Sequence, residues 1–259
     1  SNRHGALVNR MGFNNPGAAE VRDRLIGRRA SGKWPKTPVA ANIGRSKKTP
    51  NESAASDYSQ TLEMLWNHAD MFVLNISSPN TPGLRDLADS DYLSSIVNEC
   101  RLMAERKGGG KPLLVKVSPD ASNEEILSSA HSALRSGADG LVAINTSMHR
   151  PVPRNAISRG VFAEAGGISG RPLQNRSKEV ISLLYSEVGD SIPIVGVGGI
   201  ESPDTAWEAI TSGASLIQLY SALVFKGPSV VSSIVRGLKK KVKQNGFVGL
   251  EEAVGYDMP

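Results

Sequence analysis

Cysteine is almost absent from the chain. Cys100 is the single one, so an internal disulfide framework and a cysteine-based metal cluster are both excluded. Cys100 lies among apolar residues at helical spacing, which indicates a buried side chain rather than a nucleophile. The four histidines are scattered without the spacing of metal ligands. The sequence therefore predicts no metal site.

Long hydrophobic runs are also missing. No stretch approaches the ~18 consecutive apolar residues that indicate a membrane span, and the start of the chain shows no signal-peptide pattern. The net charge of +5 is modest. Part of it lies in a lysine run near the end, which is either a basic patch or the solvated face of a terminal helix. Because no aromatic residues are interleaved with the basic ones, we predict no nucleic-acid partner.

Short apolar runs alternate with amphipathic stretches along the chain. The runs are typical of buried parallel strands, and they span residues 38–43, 71–76, 112–117, 140–145, 192–197 and 215–220. The amphipathic stretches predict helices over residues 52–67, 92–106, 123–136, 176–188, 203–212 and about 228–245. Ser122, followed three residues later by Glu125, has the pattern of a capping box.

This alternation predicts a parallel α/β fold, either an open doubly wound sheet or a closed (βα)8 TIM barrel. The glycines of residues 196–199 miss the dinucleotide-binding spacing, and polar residues gather where each strand ends, as in barrel active sites. We therefore predict a barrel that occupies residues 1–259 as one domain. Only six of eight strand–helix units are visible, so the first two are expected upstream. We interpret the segment 147–172 as a long irregular loop that forms a lid or a binding loop.

Two strand ends predict a phosphate site. Gly198 and Gly199 follow the fifth predicted strand, and the sixth ends at Tyr220 and Ser221. Glycines let backbone N–H groups approach an anion closely, and barrels bind phosphate after their last two strands. The alternative is that both strand ends are merely tight turns.

Lys116 stands inside an otherwise apolar strand. A buried ammonium is costly without a negative partner, so we expect an anionic cofactor ring beside it. The alternative is an edge lysine whose head reaches water. Asparagines at the strand ends offer both donors and acceptors to a planar amide-bearing ring; they are Asn42, Asn75, Asn80 and Asn145. Without histidine or carboxylate there, acid–base work falls to the hydroxyls of Ser77, Ser78 or Thr81.

Several motifs closely resemble class 2 dihydroorotate dehydrogenases, and the likeness runs from about Leu7 to the end. The matching segments are residues 9–15 (NRMGFNN), 75–85 (NISSPNTPGLR), 166–173 (GGISGRPL), 196–200 (GVGGI), 218–222 (QLYSA) and 225–228 (FKGP). Class 1 relatives have a cysteine where this chain has Ser78, so the serine indicates class 2. The resemblance implies a TIM barrel that holds FMN and oxidises dihydroorotate to orotate.

The resemblance also implies roles for individual residues. Ser78 would remove a proton from C5 of dihydroorotate, relayed through water or Thr81, and Lys116 would stabilise the reduced flavin. The implied substrate-binding residues are Asn9, Arg10, Met11, Gly12, Phe13, Asn75, Asn80, Asn145 and Thr146. The implied FMN-binding residues are Asn42, Asn75, Lys116, Ile144, Gly170, Gly199, Tyr220 and Ser221.

Electrons in class 2 enzymes pass to a membrane quinone through helices that precede the barrel. The resemblance therefore implies peripheral membrane association through an upstream N-terminal domain. The segment 245–255 is more similar to mitochondrial members, so we expect the mitochondrial inner membrane, with the cytoplasmic side of a bacterial inner membrane as the alternative. Two other functions stay open: an FMN oxidoreductase acting on another dihydropyrimidine, and a flavin barrel that binds without catalysis.

Overall fold

The computed structural model describes residues 4–153, 155–189 and 191–258. Six strands form one parallel sheet in the order β2-β3-β4-β5-β7-β8, and β1 pairs with β6 in a separate antiparallel ribbon. The eight strands are β1 (Ala6–Asn9), β2 (Ala40–Ile43), β3 (Met71–Asn75), β4 (Leu113–Lys116), β5 (Gly140–Ala143), β6 (Gly167–Gly170), β7 (Ile194–Val197) and β8 (Leu216–Gln218). The six predicted strands are confirmed as the parallel sheet.

Helices precede, connect and follow the strands of the parallel sheet. They are α1 (Ala18–Ala30), α2 (Ala54–Leu65), α3 (Ser90–Arg106), α4 (Asn123–Arg135), α5 (Ala156–Ala163), α6 (Gln174–Val188), α7 (Pro203–Thr211), α8 (Ser221–Lys226) and α9 (Ser229–Gln244). The six predicted helices are confirmed as α2, α3, α4, α6, α7 and α9. The capping box at Ser122 and Glu125 is present at the start of α4. Cys100 is a buried residue of α3, and burial raises the pKa of its thiol to about 12.

The two faces of the parallel sheet have different surroundings. The outer face packs on the helices through a large apolar core in which Tyr58, Phe72 and Leu93 are completely buried. The inner face carries a separate small cluster of Val73, Leu114, Val142 and Val195, one from each of four neighbouring strands. Because side chains alternate between the faces of a strand, the residues two positions beyond this cluster also lie on the inner face.

The two edge strands differ from the central ones in burial. All four residues of β5 are buried, whereas Ala40 and Asn42 of β2 and Leu216 of β8 are exposed. Within the described residues β2 and β8 do not pair with each other. The chain thus forms a curled, mixed α/β half-barrel, which agrees with the coarser part of the fold prediction.

The expectation that 147–172 is irregular is wrong. This segment contains α5 and β6, and β6 pairs with β1 instead of joining the parallel sheet. Asn155 caps α5 by accepting a hydrogen bond from the backbone N–H of Ser158. The helix has only eight residues and β6 is rich in glycine, so neither gives a clear periodic signal. The sequence pattern also missed α1, which has no buried residue, and the six-residue α8.

None of the described helices, between residues 4 and 258 apart from 154 and 190, is both long enough and apolar enough to cross a bilayer.

Replacing Phe72 by alanine should be strongly destabilising. The ring is completely buried and stacks on Trp66 with centroids 5.6 Å apart. Its removal leaves a cavity, so we expect a loss of about 3–5 kcal/mol in the free energy of unfolding. Urea denaturation measures the loss. The control Val152→Ala, at a side chain that is 85% exposed, should change the value by less than about 0.5 kcal/mol. Equal effects of both variants would contradict the assigned core.

Candidate active site

Three predicted site residues meet on the inner face of the sheet. Asn75 and Lys116 are directly paired residues of β3 and β4, and Asn42 of β2 is paired with Val73. Paired residues of neighbouring strands project to the same side. All three therefore line the inner face: Asn42 is level with the apolar cluster, and Asn75 and Lys116 lie two residues beyond it, nearer the carboxyl-terminal rim.

Amide and hydroxyl side chains form a hydrogen-bonded network at this rim. The Nδ2 of Asn145 donates to Oδ1 of Asn75 at 2.9 Å and lies 3.0 Å from Oγ of Ser77. The Oδ1 of Asn145 accepts the backbone N–H of Thr146 at 2.8 Å. These bonds fix the amide planes of Asn75 and Asn145, so their remaining polar atoms have defined directions toward a ligand.

The loop after β3 carries the candidate base. Ser78 and Thr81 are both buried, and Oγ of Ser78 accepts the backbone N–H of Asn80 at 3.3 Å. The Nδ2 of Asn80 donates to Oδ1 of Asn9 at 3.2 Å. Asn9, at the end of β1, is therefore brought from a distant part of the sequence to the same rim.

The residues of the segment after β1 differ in how close they lie to the rim. Phe13 lies against Gly44, where a Cβ would stand 2.4 Å from the ring, and Gly12 lies near the carbonyl of Asn80. Arg10 instead pairs with Glu164 at 2.5 Å on the surface, and Met11 is mostly exposed. Asn9, Gly12 and Phe13 are therefore close to the rim, whereas the guanidinium of Arg10 is engaged beside α5.

Two buried residues that the sequence pattern did not single out hold the loop after β3 in place. The Nη2 of Arg45 donates to the carbonyl of Pro82 at 2.7 Å, and its Nη1 donates to the carbonyls of Ser46 and Thr49. The hydroxyl of Tyr58 donates to the carbonyl of Asn75 at 3.0 Å, and burial raises its pKa. Neither role had a signal in the sequence: Arg45 lies two residues after β2, and Tyr58 shows only its helical spacing.

Thr146 and Ile144 complete the rim after β5. Ile144 is buried and donates its backbone N–H to the carbonyl of Val197 at 2.8 Å. Thr146 packs against Gly167 of β6, where a Cβ would lie 2.1 Å from the threonine Oγ1. Only glycine allows β6 to approach so closely, so this position lets the β1–β6 ribbon lie against Thr146.

The ammonium of Lys116 is desolvated. Burial lowers its pKa from the ordinary value of 10.5 to about 8. Within the described residues no carboxylate pairs with it; the neighbours set by the strand register are amide and apolar. A cation held this way is complementary to a group that is anionic or becomes so.

The residues predicted for the cofactor phosphate line one pocket. Its walls include Gly198, Gly199, Tyr220 and Ser221, and also Gly170, which the sequence assigned to FMN without a phosphate role. Gly199 has a φ of +73°, and a Cβ there would lie 2.8 Å from the backbone of Gln174. The strained conformation and the lack of space both require glycine, which leaves the backbone open to a ligand on the pocket side.

Arg171 is a cation at this pocket that the sequence pattern missed. Its side chain lines the same pocket, and Nε and Nη2 donate to Oε1 of Glu201 at 2.9 and 2.7 Å. Arg171 and Glu201 form an ion pair of opposite charges, so the pair is close to neutral overall. The pocket is thus built mainly from backbone, with charge balanced at its edge.

These features fit an anionic, planar cofactor with a phosphate tail. The glycine pocket can take the phosphate, Lys116 offers positive charge to a ring, and the asparagine network offers donors and acceptors. No group of three or more histidine, cysteine, aspartate or glutamate residues in the described ranges could hold a metal ion.

Comparison with known proteins identifies the family. The family model described as "Dihydroorotate dehydrogenase" matches residues 1–242. The chain is 43% identical over 254 residues to dihydroorotate dehydrogenase (quinone) of Trichodesmium erythraeum, covering 96% of this chain and 66% of that protein. It is also 43% identical to the protein of the same name from Streptomyces griseus, covering 97% and 68%. The chain spans about two thirds of the length of these relatives.

Solved structures agree with this assignment. The chain is similar to DHODH of Eimeria tenella in complex with ferulenol, with a TM-score of 0.90 and 32% identity over 99% of this chain and 73% of the other. The ligand-free form gives a TM-score of 0.89 and 33% identity over 99% and 75%. The chain belongs to the dihydroorotate dehydrogenase family, a family of flavoenzymes. The predicted oxidoreductase class and the resemblance to quinone-dependent members are confirmed.

Removing the charge of Lys116 should stabilise the flavin-free protein in a pH-dependent way. Below pH 8 the lysine is charged in both folded and unfolded chains, so the full cost of its burial is present. As pH rises from about 8 to 10.5 the unfolded chain binds more protons, so this cost is relieved. Lys116→Met should therefore raise the free energy of unfolding by at most roughly 3 kcal/mol at pH 7.

Chemical denaturation of the flavin-free protein at pH 7 and pH 10.5 measures this gain, which should shrink at the higher pH. Lys239→Met, at an exposed position of α9, is the matched control and should show no such trend. A gain at Lys116 that is the same at both pH values would refute the desolvation of its ammonium.

Proposed function

We propose that this member of the dihydroorotate dehydrogenase family oxidises dihydroorotate to orotate, a step of pyrimidine biosynthesis, with FMN as the hydride acceptor and a quinone as the final electron acceptor. The observation that carries the proposal is the inner rim itself. A desolvated Lys116 is paired in register with Asn75, and Asn75 is bonded to Asn145. The relatives that carry the quinone-dependent name support the overall reaction.

The cofactor proposal rests on the pocket and on Lys116. The backbone around Gly199, together with Gly170, Tyr220 and Ser221, would hold the phosphate of FMN. Asn42, Asn75, Lys116 and Ile144 would contact the ring. When bound, FMN supplies a hydride acceptor; the positive charge of Lys116 would offset the negative charge that a reduced ring acquires.

The substrate proposal rests on the amide network. Asn75, Asn80 and Asn145, with Thr146 and the segment from Asn9 to Phe13, would hold the pyrimidine ring and close off water. Ring amides need both donors and acceptors, and asparagine supplies both. Arg10, whose guanidinium pairs with Glu164, and the mostly exposed Met11 would form the outer wall of the substrate site.

Ser78 would remove the proton from C5 of dihydroorotate. A serine hydroxyl has a pKa far above neutrality, so it needs a path that carries the proton onward. Within the described residues no histidine or carboxylate is bonded to Ser78. Thr81, buried on the same loop, or a water molecule would pass the proton on.

The complete fold and cellular setting extend the proposal. Two further strand–helix units would close the half-barrel between the exposed edges of β2 and β8, so that residues 1–259 form most of one barrel domain. An N-terminal region would lead electrons to the quinone and attach the enzyme to a membrane. The mitochondrial inner membrane is the proposed location, and the cytoplasmic side of a bacterial inner membrane is the alternative.

Ser78→Ala tests the assigned base. FMN content should stay at the wild-type level, because Ser78 is not among the proposed FMN-binding residues. Flavin reduction by dihydroorotate should slow by about 10²–10⁴-fold, the usual contribution of a positioned acid or base. Anaerobic stopped-flow absorbance measures both values. The control Ser95→Ala, at an exposed position of α3, should behave as wild type. An unchanged reduction rate in Ser78→Ala would remove this serine from its role.

Substrate choice is tested with dihydrouracil, which lacks the carboxylate of dihydroorotate. We expect dihydroorotate to reduce the flavin of the wild-type enzyme at least tenfold more efficiently, because a site built for an anionic substrate loses those contacts with the neutral analogue. The ratio of kcat/KM for the two compounds gives the answer. Faster turnover of dihydrouracil would replace the proposed substrate with another dihydropyrimidine.

A further inference from the structure

Asp120 is a carboxylate that the proposed reaction does not use. It follows β4 by four residues, and its side chain is only 8% exposed. Arg176 of α6 holds the backbone on both sides of Asp120. It donates through Nε to the carbonyl of Pro119 at 3.0 Å and through Nη2 to the carbonyl of Ala121 at 2.9 Å. The carboxylate of Asp120 therefore projects from a fixed support.

Three donors of the loop after β5 converge on this carboxylate. The backbone N–H of Met148 donates to Oδ2 at 2.7 Å, and Nδ1 of His149 lies 3.0 Å from Oδ1. The hydroxyl of Ser147 also donates to Oδ1. These three residues directly follow Asn145 and Thr146, so Asp120 fixes the stretch of chain that leaves the proposed substrate site.

The fourth partner comes from the loop after β3. The Nη2 of Arg85 donates to Oδ2 of Asp120 at 2.8 Å. Arg85 lies in a short helix that begins at Leu84, directly after the loop that carries Ser78, Asn80 and Thr81. One carboxylate therefore links the chain segments that follow β3 and β5, the two strands that flank β4, to the end of β4.

The carboxylate is held in its charged form. Burial raises the pKa of Asp120, but the hydrogen bonds from Ser147, Met148, His149 and Arg85 outweigh burial, so that the pKa lies below its usual value. A charged acceptor makes stronger hydrogen bonds than a neutral one. Removing its charge would weaken all four contacts at once.

We propose that Asp120 is a positioning residue for substrate binding: it sets the placement of Asn145 and Thr146 through Ser147–His149, and Arg85 joins it to the short helix after the loop of Asn80. The inference rests on the proposed function, since it assumes that these residues hold the pyrimidine ring. In the described part of the chain, Asp120 makes no hydrogen bond to the amides of Asn75 and Asn145 or to the residues of the phosphate pocket. Its loss should therefore weaken substrate binding without removing the flavin.

The later part of the loop after β5 is held separately by Arg150, so Asp120 holds only the beginning of this loop. Arg150 donates through Nη1 to the carbonyl of Met148 at 3.0 Å, and through Nε to that of Phe162 at 3.2 Å. Its Nη2 donates to the carbonyls of Glu164 and Gly166. Loss of Asp120 would leave this anchor intact, so we expect local displacement near Thr146 rather than collapse of the segment up to β6.

Asp120→Asn in the flavin-loaded enzyme tests the proposal. The amide keeps the size of the side chain but loses its charge. We expect KM for dihydroorotate to rise about tenfold, which corresponds to about 1.4 kcal/mol, while kcat changes less than threefold and flavin content stays constant. Asp86→Asn is the matched control, because this carboxylate is exposed and lies on the same short helix as Arg85. It should leave KM unchanged.

Ser147→Ala removes one donor from the loop side and should raise KM in the same direction by a smaller factor. An unchanged KM in Asp120→Asn would overturn the proposal, and so would an equal rise in Asp86→Asn. A loss of kcat with unchanged KM would overturn it too, because the residue would then act on the chemical step.

Amide hydrogen exchange of Met148 without substrate separates this proposal from the proposed function. Asp120→Asn should accelerate that exchange at least tenfold, and Asp86→Asn should not; unchanged exchange in Asp120→Asn would overturn the proposed loop contact. Because this readout needs no turnover, it holds even if dihydroorotate fails to reduce the flavin of the wild-type enzyme, an outcome that would overturn the proposed function instead.

Discussion

The desolvated ammonium of Lys116 is the constraint on which the site depends. β4 carries it to the inner face of the sheet, where its paired neighbour is Asn75 and burial has already lowered its pKa. The folded chain tolerates the free-energy cost of burying this ammonium because the apolar strands around Lys116 are fixed by the large helix-side core. A positive charge that the folded chain leaves without a carboxylate partner, among the described residues, is available to a ligand. The cofactor proposal follows from that electrostatic condition.

The loops around this charge are held chiefly by arginine. Arg45, Arg150 and Arg176 each donate to backbone carbonyls of segments that meet at the rim. A guanidinium offers five donors in a rigid plane and stays charged, so one side chain can satisfy several loop carbonyls at once. Asp120 does the opposite, since its carboxylate accepts hydrogen bonds from several donors. Together they give irregular loops the rigidity that substrate positioning requires.

The sequence was sufficient for the parts of the site that lie on strands. Lys116 and Asn75 stand at fixed steps along short apolar runs, so the strand period alone predicts their shared face. The roles of Arg45 and Asp120 were not predictable, because their partners are backbone groups 37 and 28 residues away. The β1–β6 ribbon was missed for a related reason: its pairing joins two distant strands of four residues each, which are too short to carry a periodic signal.

The most direct test of the account is an anaerobic absorbance spectrum of the purified protein before and after addition of dihydroorotate. The account predicts a flavin band that bleaches when dihydroorotate is added, since the rim would then hold both the cofactor and its reductant. A flavin band that persists would contradict the assigned substrate. The absence of any flavin band would contradict the central claim, that the charge of Lys116 and the glycine pocket together form a flavin site.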